Sequence, residues 1–406
     1  MSTHRSGRDV LARAITALGL VLLTAALIDS LIAQVRGPCC EHNMFVQQAV
    51  AFLQGRLDLP HRLHDVAIHD GLYYMPFPPL PALLLVPVVA VLGAQATNTV
   101  ILGILLTGMS IMLFRRILAR LQLANTTVRY TLLAFFFGTV YWFALIWSDT
   151  VWFTAHVVAT LMLFLALDEA LGKQRAALAG LYLGGALLTR QLTIAAAPLL
   201  AALLWDAAQD ESLGTRWRHM MLFALPIAAC GLAYLGLNVL RFGNPLDTGY
   251  GRLALQGFLR TRFETYGLFS IRYLPVNLYY LLIEGFHLEF TDPMHMGGMR
   301  RYPFGVSLLS ASPFVVLSLR ARWKPHLLAA AWVSILLGMI PSLMYYNNGW
   351  VQFGGQRFAL DYLPMLMLLV ALGAERSPSW LYRGMTIYAL VLNVLGLVVL
   401  PRLGAA

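Results

Sequence analysis

The sequence predicts an all-α polytopic membrane protein, and two observations lead to this fold class. Of the 406 residues, 59% are hydrophobic and only 12% are charged, whereas an ordinary soluble domain carries about 25% charged residues. The apolar residues also fall in blocks of about 20, the length that an α-helix needs to cross hydrocarbon. A transmembrane β-barrel would instead show alternating segments of about 10 residues. We therefore expect a single integral-membrane domain over residues 1–406.

The formal net charge of +10 does not indicate a nucleic-acid partner. The arginines lie beside the apolar blocks rather than in one basic tract. This distribution is typical of the positive-inside rule and of contact with the anionic head groups of membrane lipids. Membrane lipids are therefore the expected partners of the basic residues, and the expected location is the inner (plasma) membrane.

About eleven spans follow from the apolar blocks and from the basic residues between them. The first, about residues 12–34, follows Arg5, Arg8 and Arg13, which places the N-terminus in the cytoplasm. It is longer than the apolar region of a signal peptide, so we expect an uncleaved span. The other ten predicted spans are residues 100–114, 130–147, 151–171, 176–188, 193–205, 221–240, 304–319, 327–346, 363–374 and 386–400.

Two long segments between spans are expected on the extracytoplasmic side. They are residues 35–93 and residues 241–303. The apolar run from Leu80 to Leu92 has only 13 residues and contains Pro81 and Pro87, so it is too short to cross the bilayer. We interpret it as a juxtamembrane or re-entrant helix, one of the juxtamembrane helices of the first external loop.

Titratable and aromatic side chains collect on the same predicted outer face. Ionisable groups close to hydrocarbon are costly unless they are paired, hydrated or used in a reaction, so this collection is a candidate active site. The candidate catalytic carboxylates are Glu41, Asp65 and Asp149. The candidate substrate-binding residues are His42, Asn43, Tyr73, Tyr74, His156, Arg190, Arg241, Trp350 and Arg357.

Simpler structural roles are open for several of these residues. Asp149 precedes a predicted helix and could act only as its N-cap. His156 could be a core histidine that is hydrogen-bonded to a neighbouring hydroxyl. Arg190 could extend its charge to the membrane edge, or it could bind a phosphate with its planar guanidinium. The glycine-rich segments around Arg241 and Arg357 could be ordinary tight turns.

Seven sequence features in this order resemble the GT-C class of integral-membrane glycosyltransferases. The most similar members are bacterial relatives of protein mannosyltransferases and of lipid A aminoarabinose transferases. The resemblance covers about residues 10–370. Its features are Glu41 after span one, the segment AVAFLQG at 49–55, the segment GLYYMPFPPLP at 71–81, Asp149, Thr189-Arg190, the segment FGNP at 242–245 and the segment FGGQR at 353–357.

The resemblance implies a membrane hexosyl- or pentosyltransferase. Such an enzyme moves a sugar from a polyprenyl-phosphate donor to the hydroxyl of a glycan, lipid or protein on the extracytoplasmic side. Glu41, or else Asp65 or Asp58, would be the general base, and Asp149 would orient the acceptor or hold Arg190. Arg190, assisted by Arg357 or Arg241, would stabilise the departing phosphate.

The alternative function is a transporter or flippase of lipid-linked sugars. It would need polar groups distributed through the membrane, whereas here the polar groups crowd one face. No cofactor is expected beyond the donor lipid. The first loop has no Asp-x-Asp pattern, so no divalent metal ion is inferred.

Overall fold

The computed structural model describes residues 43–285, 288–290, 299–301, 306–347, 349 and 355–395, together with individual helical positions between 10 and 32. The first predicted span therefore lies largely outside the described residues. Three of the predicted site residues, Glu41, His42 and Trp350, lie outside them as well.

The described part of the chain is mainly helical. Its α-helices are α1 Met44–Leu53, α2 Leu80–Leu92, α3 Thr99–Arg120, α4 Asn125–Gly138, α5 Tyr141–Ile146, α6 Val151–Leu171, α7 Ala176–Leu187, α8 Ala197–Ala207, α9 Leu213–Phe242, α10 Gly257–Tyr266, α11 Leu274–Leu282, α12 Leu308–Ala311, α13 Pro325–Leu343, α14 Leu363–Ala374 and α15 Ser379–Val394. Short 3₁₀ helices cover Gln191–Ala196, Tyr250–Arg252, Ile271–Tyr273, Pro313–Arg320 and Arg357–Asp361. Four short strands form two antiparallel hairpins, β1 Ala67–His69 with β2 Leu72–Tyr74, and β3 Leu288–Phe290 with β4 Met299–Arg301.

Within the described residues, four helices are long and apolar enough to cross a membrane: α3, α6, α9 and α13. This agrees with a helical multi-pass membrane protein but does not confirm the predicted count of about eleven spans. Several predicted spans are broken or short. The predicted span 130–147 is divided into α4 and α5, because the backbone at Thr139 is extended. The predicted span 304–319 consists partly of α12 and a 3₁₀ helix.

Helix α3 continues past the basic residues that were expected to end it. The predicted span stopped at residue 114, whereas α3 runs to Arg120. Arg116 and Arg120 each lie 2.9 Å from a carboxylate oxygen of Asp168 on α6, a side chain that is buried. Both arginines therefore pair with one buried carboxylate of the bundle, and the helix does not need to end where its charges begin.

Residues 43–93, the described part of the loop predicted to be external, form a compact unit of two helices and a hairpin. Helix α2 begins at Leu80 and ends at Leu92, which are the bounds that the sequence predicts. It packs against α1, and the buried side chains of both helices belong to one cluster with Val151 and Ala155 of α6. The hairpin turns at Asp70 and Gly71, whose positive φ values of 50° and 75° suit a type I′ turn.

Two hydrogen bonds attach this loop to the helices beneath it. The Leu80 N–H donates to the carbonyl oxygen of Leu188 at 2.9 Å, so the start of α2 lies against the end of α7. The side-chain amide of Asn43 donates to the carbonyl oxygen of Asp149 at 2.7 Å. The first loop is therefore held directly beside the segments that precede α6 and follow α7.

Candidate active site

One cavity of about 270 Å³ gathers charged side chains from distant parts of the sequence. Two acids and two arginines line it together with several aromatic rings. Asp65 comes from the first loop, Arg190 from the turn after α7, and Arg357 and Asp361 from the 3₁₀ helix before α14. The remaining lining residues are Phe77, Trp152, Thr189, Gln191, Leu192, Thr248, Tyr250, Leu253, Leu268, Phe269, Pro341, Ser342, Tyr345, Tyr346, Asn347 and Phe358.

Arg190 and Asp361 form a two-pronged ion pair at the base of this cavity. The Arg190 Nε donates to Asp361 Oδ1 at 2.5 Å, and Nη2 donates to Oδ2 at 2.9 Å. The side chain of Arg190 is 15% exposed and that of Asp361 only 1%. Burial acts to lower the pKa of Arg190, but the Asp361 carboxylate outweighs it and raises the pKa above its ordinary value. Arg190 is therefore a fixed positive charge.

The backbone after α7 aims Arg190 away from the helix. Its N–H donates to the Ala186 carbonyl oxygen at 2.8 Å, and the residue itself is extended, with φ −150° and ψ 119°. The Thr193 hydroxyl then donates to the Arg190 carbonyl oxygen at 2.7 Å. These bonds satisfy the backbone at a helix end and hold the side chain between two helices.

Arg357 is the second cation of the cavity, and it lies among aromatic rings. Its guanidinium carbon is 5.5 Å from the ring centre of Trp152, 5.8 Å from that of Phe153 and 5.2 Å from that of Phe358. Arg190 approaches the same Phe358 ring at 5.7 Å. Burial, together with the positive charge of Arg190, lowers the pKa of Arg357 to about 10. Burial and the neighbouring charge both disfavour the charged form of Arg357. An anion bound between the two arginines would favour that charged form again, so both arginines would stabilise the anion.

Asp65 brings a carboxylate to the mouth of the cavity. The indole Nε1 of Trp152 donates to Asp65 Oδ2 at 3.0 Å, and the His64 Nδ1 lies 3.2 Å from Oδ1. Asp65 has a φ of 57°, and its side chain is 30% exposed. The hydrogen bond from His64 to this carboxylate raises the pKa of the imidazole above its ordinary value. Asp65 is therefore oriented by two donors but still reached by water.

Three tyrosines form much of the remaining wall. The rings of Tyr345 and Tyr346 are 4.6 Å apart, and the ring of Tyr250 meets Phe77 edge-on at 5.9 Å. Burial raises the pKa of all three hydroxyls. They therefore stay protonated at neutral pH and can donate hydrogen bonds to a ligand.

Asp149 and Asn43 lie beside the cavity but do not line it. The Asn43 amide lies within hydrogen-bond distance of the Asp149 carbonyl, of Thr99 Oγ1 at 3.2 Å and of Thr154 Oγ1 at 3.4 Å. Asn43 also caps α1, because its Oδ1 accepts from the Phe45 N–H at 2.9 Å. The cap position of α6 is Thr150, whose own side chain makes no cap bond.

His156 is fully buried beneath the ion pair. Its Nδ1 lies 3.6 Å from Asp361 Oδ1. Neither ring nitrogen has a hydrogen-bond partner among the described residues. The interpretation of His156 as a histidine satisfied by a hydroxyl is therefore wrong. The ionised group beside its ring is the Asp361 carboxylate, which also holds Arg190. His156 contributes to the support of the pair rather than to the cavity wall.

Arg241, Tyr73 and Tyr74 are held away from the cavity, so the structure does not support direct substrate contacts for them. Arg241 is buried and donates to the Met75 carbonyl oxygen, and its Nη2 donates to Asn238 Oδ1 at 3.0 Å. Tyr74 packs its ring on Phe242 at 5.4 Å, and Tyr73 packs inside the first loop. In the segment at 71–81, Phe77 is the ring that reaches the cavity.

Sequence reasoning missed several residues of the cavity. Asp361 was visible only as the acid that ends the segment around Arg357, and its partner Arg190 is 171 residues earlier. Trp152 and Phe358 were missed because an aromatic residue in an apolar segment has the same pattern whether it faces a cavity, the core or lipid. The adjacent tyrosines Tyr345-Tyr346, at the end of a predicted span, were the clearest signal that was not used.

Two solved structures share this arrangement of helices, both of ArnT from Cupriavidus metallidurans. One is bound to undecaprenyl phosphate, with a TM-score of 0.50 and 13% sequence identity. The other is in the apo state, with a TM-score of 0.48 and 14% identity. Each match covers 93% of this chain and 62% of the ArnT chain. The chain has the ArnT fold.

The similarity to ArnT, a GT-C glycosyltransferase, lies in the fold. At 13–14% identity it does not transfer individual residues. The chain spans less than two thirds of the length of the ArnT chains. No protein-family model and no curated protein matches the sequence. Within the described residues, no three His, Cys, Asp or Glu side chains are grouped as a metal ion would require.

Proposed function

We propose that the chain is a membrane glycosyltransferase that moves a hexose or pentose from a polyprenyl-phosphate donor to an acceptor hydroxyl on the extracytoplasmic side. The observation that carries this proposal is the cavity in which Arg190, Arg357 and Asp65 meet at the edge of an ArnT-like bundle. The ArnT structure bound to undecaprenyl phosphate supports a lipid phosphate as the shared ligand class.

The two arginines suit the leaving group. When the bond between the sugar and the phosphate breaks, the electron pair stays on the phosphate oxygen, whose negative charge grows. Donors that are already in position stabilise such a charge without reorganisation. Arg190 is fixed by Asp361, and Arg357 is confined by three rings. Both are therefore preorganised to receive the phosphate.

Asp65 is our choice among the described residues for the general base. The acceptor hydroxyl must lose a proton as its oxygen bonds to the anomeric carbon, and a carboxylate at the cavity mouth can take that proton. Asp361 is less suited, because both of its oxygens accept from Arg190. Glu41 lies outside the described residues and stays a predicted base.

The remaining lining residues suit the sugar and the prenyl chain of the donor. The rings of Trp152, Tyr250 and Tyr345 can stack on the apolar faces of a sugar, and the tyrosine hydroxyls can bond its oxygens. Leu192, Leu268, Phe269 and Pro341 give an apolar wall for the first units of the prenyl chain. A sugar joined to a prenyl phosphate needs this combination of charge, rings and aliphatic surface.

The proposal is tested with the full chain in lipid nanodiscs. Undecaprenyl-phosphate hexose and undecaprenyl-phosphate pentose are supplied in parallel with a crude envelope extract as acceptor, and released undecaprenyl phosphate is quantified. We expect release with one of the two donors, and we expect Asp65→Asn to reduce it by about 100-fold or more, the lower range for loss of a general base. Asp70→Asn, a change of the same kind at the exposed tip of the hairpin in the same loop, should retain activity.

The outcomes separate the enzyme from a transporter. A transporter would move the intact donor between leaflets and release no undecaprenyl phosphate. Absence of release with both donors, together with transfer of the intact lipid across the membrane of proteoliposomes that contain the full chain, would overturn the proposal. Equal release by the wild type and Asp65→Asn would remove Asp65 from the role of base and leave Glu41 as the candidate.

A further inference from the structure

A second cavity, of about 670 Å³, lies between the ends of α8, α9 and α13. Its lining combines small apolar residues, two indoles and charged groups. It is lined by Ala201, Ala202, Trp205, Asp206, Gln209, Arg216, Trp217, Met220 and His326. None of these residues lines the candidate active site.

The two cavities lie at opposite ends of the same helix. His326, near the start of α13, lines the second cavity, whereas Pro341 and Ser342 near its end line the candidate active site. At 1.5 Å per residue, 15 residues of helix separate them by about 22 Å, which is most of the hydrocarbon thickness. The second cavity is therefore at the other membrane interface, which the charge pattern predicts to be the inner one.

Arg216 provides the cavity with a cation whose hydrogen-bonding capacity is mostly unused. Its guanidinium carbon lies 4.1 Å from the ring centre of Trp205, and Nη2 donates to the Trp205 carbonyl oxygen at 3.3 Å. A guanidinium has five N–H donors, and this is the one hydrogen bond of Arg216 within the described residues. Its Nε is buried without a partner there.

The acid of the cavity is already neutralised. Lys324 Nζ donates to Asp206 Oδ2 at 2.7 Å, and His326 Nε2 lies 3.0 Å from Asp206 Oδ1. Arg216 therefore keeps its charge without a carboxylate partner among the described residues. It also stands in the first turn of α9, where the helix dipole adds positive potential rather than cancelling it. The cavity as a whole favours one anionic group.

The indoles and the apolar wall indicate the physical state of that anion. Trp205 and Trp217 meet edge-on at 5.5 Å, and Trp217 is 58% exposed. Tryptophan concentrates where acyl chains meet head groups. Met220, Ala201 and Ala202 continue the wall in the direction of the bilayer. A small soluble anion would leave this apolar surface uncovered, whereas the glycerol and upper acyl region of a phospholipid would cover it.

We propose that this cavity binds the head group of an anionic phospholipid, with its phosphodiester on Arg216 and its glycerol region against Trp205 and Trp217. The site is separate from the candidate active site and does not depend on the function proposed for it. Basic pockets between helix ends on the inner side of a membrane are a known setting for anionic head groups.

The test is native mass spectrometry of the full chain released from nanodiscs that contain equal amounts of phosphatidylglycerol and phosphatidylcholine. We expect the wild type to retain phosphatidylglycerol preferentially. Arg216→Gln should reduce the ratio of retained phosphatidylglycerol to phosphatidylcholine by about five-fold, the factor for about 1 kcal/mol per basic residue at a membrane surface. Arg218→Gln removes the same charge two residues away, where the side chain does not line the cavity, and should leave the ratio unchanged.

Further variants cover the case in which Arg216→Gln does not fold. Arg216→Lys keeps the charge but not the planar fork, and should give an intermediate ratio. Trp217→Ala removes an exposed wall of the cavity and should also lower the ratio. Equal losses in the Arg216 and Arg218 variants, no preference in the wild type, or displacement of the lipid by millimolar inorganic phosphate would each overturn the proposal.

Discussion

At the level of single residues, the charge of Arg357 sets a pH limit on ligand binding. Burial and the neighbouring Arg190 lower its pKa to about 10, so the guanidinium is charged at neutral pH. An anionic phosphate favours the charged form. Affinity for undecaprenyl phosphate should therefore be constant between about pH 8, where the phosphate monoester is already fully ionised, and about pH 9, and it should fall as the pH rises through 10. The measurement is a titration of the wild type with undecaprenyl phosphate across this pH range.

The matched variant is Arg357→Lys. An ordinary lysine pKa is about 10.4, and the same surroundings would lower it further, so the decline should begin at a lower pH than in the wild type. Arg260→Gln, a change at an exposed arginine of α10 paired with Glu264, should leave the profile unchanged. Identical profiles for the Arg357→Lys variant and the wild type would show that Arg357 does not contact the phosphate.

A second residue-scale prediction concerns Asp361, the buried partner of Arg190. Asp361→Asn leaves a cation without its counter-charge, and loss of one partner of a buried pair costs about 3–5 kcal/mol of unfolding free energy. The variant should melt well below the wild type in detergent micelles. Asp58→Asn breaks the more exposed pair with Arg56 and should cost less than about 1 kcal/mol. Equal melting temperatures for both variants would contradict the assigned role.

The imidazole beside Asp65 adds a prediction about turnover. The carboxylate raises the pKa of His64, so the protonated histidine persists to a higher pH than a free one. A protonated neighbour makes Asp65 a weaker base. Turnover should therefore rise as the pH increases through the His64 pKa, and His64→Gln should remove this rise while retaining activity. An unchanged pH profile in that variant would show that His64 does not influence the base.

Sequence reasoning could reach some of these residues but not their pairing. Asp65, Arg190 and Arg357 were predicted because charges at a membrane edge are costly, which is a local property that a single sequence displays. Their partners depend on the packing of segments that are far apart. Arg190 could equally have extended into the head groups, and only the position of Asp361 shows that it is held inside.

At the scale of elements, glycines set how closely α7 and α9 approach. A methyl group at Gly180 would lie 2.0 Å from the carbonyl oxygen of Phe223, which is rigid backbone. Gly180→Ala must therefore separate the helices, at a cost of about 1–3 kcal/mol for overpacking. Gly231→Ala on α9 meets no atom within 4 Å and should be neutral or stabilising. Thermal melts of the two variants in detergent provide the comparison.

The elements also show which local signals were reliable. Leu80–Leu92 was predicted with its observed bounds, because prolines at the start of a short apolar run and a glycine directly after it limit the helix. The predicted span 130–147 was wrong as one helix. The Thr139 hydroxyl donates to the Phe135 carbonyl oxygen at 2.6 Å and accepts from the Tyr141 N–H at 3.2 Å, so one side chain closes α4 and opens α5. A hydropathy profile does not show that one helix ends and another begins at this residue.

At the scale of the whole molecule, the predicted orientation can be tested by labelling. In a background with Cys39, Cys40 and Cys230 replaced by serine, Asp70→Cys should react with a membrane-impermeant maleimide in intact cells. The Asp70 side chain is 86% exposed at the tip of the hairpin. Arg322→Cys, in the turn before α13, should react only after the cells are opened. The reverse pattern would place the candidate active site on the cytoplasmic side and contradict the positive-inside assignment.

The helical membrane class and the resemblance to GT-C enzymes were available from composition and from the order of the polar segments. The number of spans was not, because a helix of 12 residues such as α14 is buried by its neighbours rather than by lipid. Length rules for isolated spans do not apply to such enclosed segments.

The separation of Arg190 and Asp361 along the chain has a consequence for biogenesis. A ribosome that adds about 5–20 residues per second needs roughly 9–34 s to proceed from one codon to the other. Throughout that interval the nascent polypeptide carries an uncompensated cation next to hydrocarbon. The amino-terminal half therefore cannot settle into its final place until the late segment has been translated. Quality-control proteases in the membrane should accordingly degrade any product truncated before residue 361.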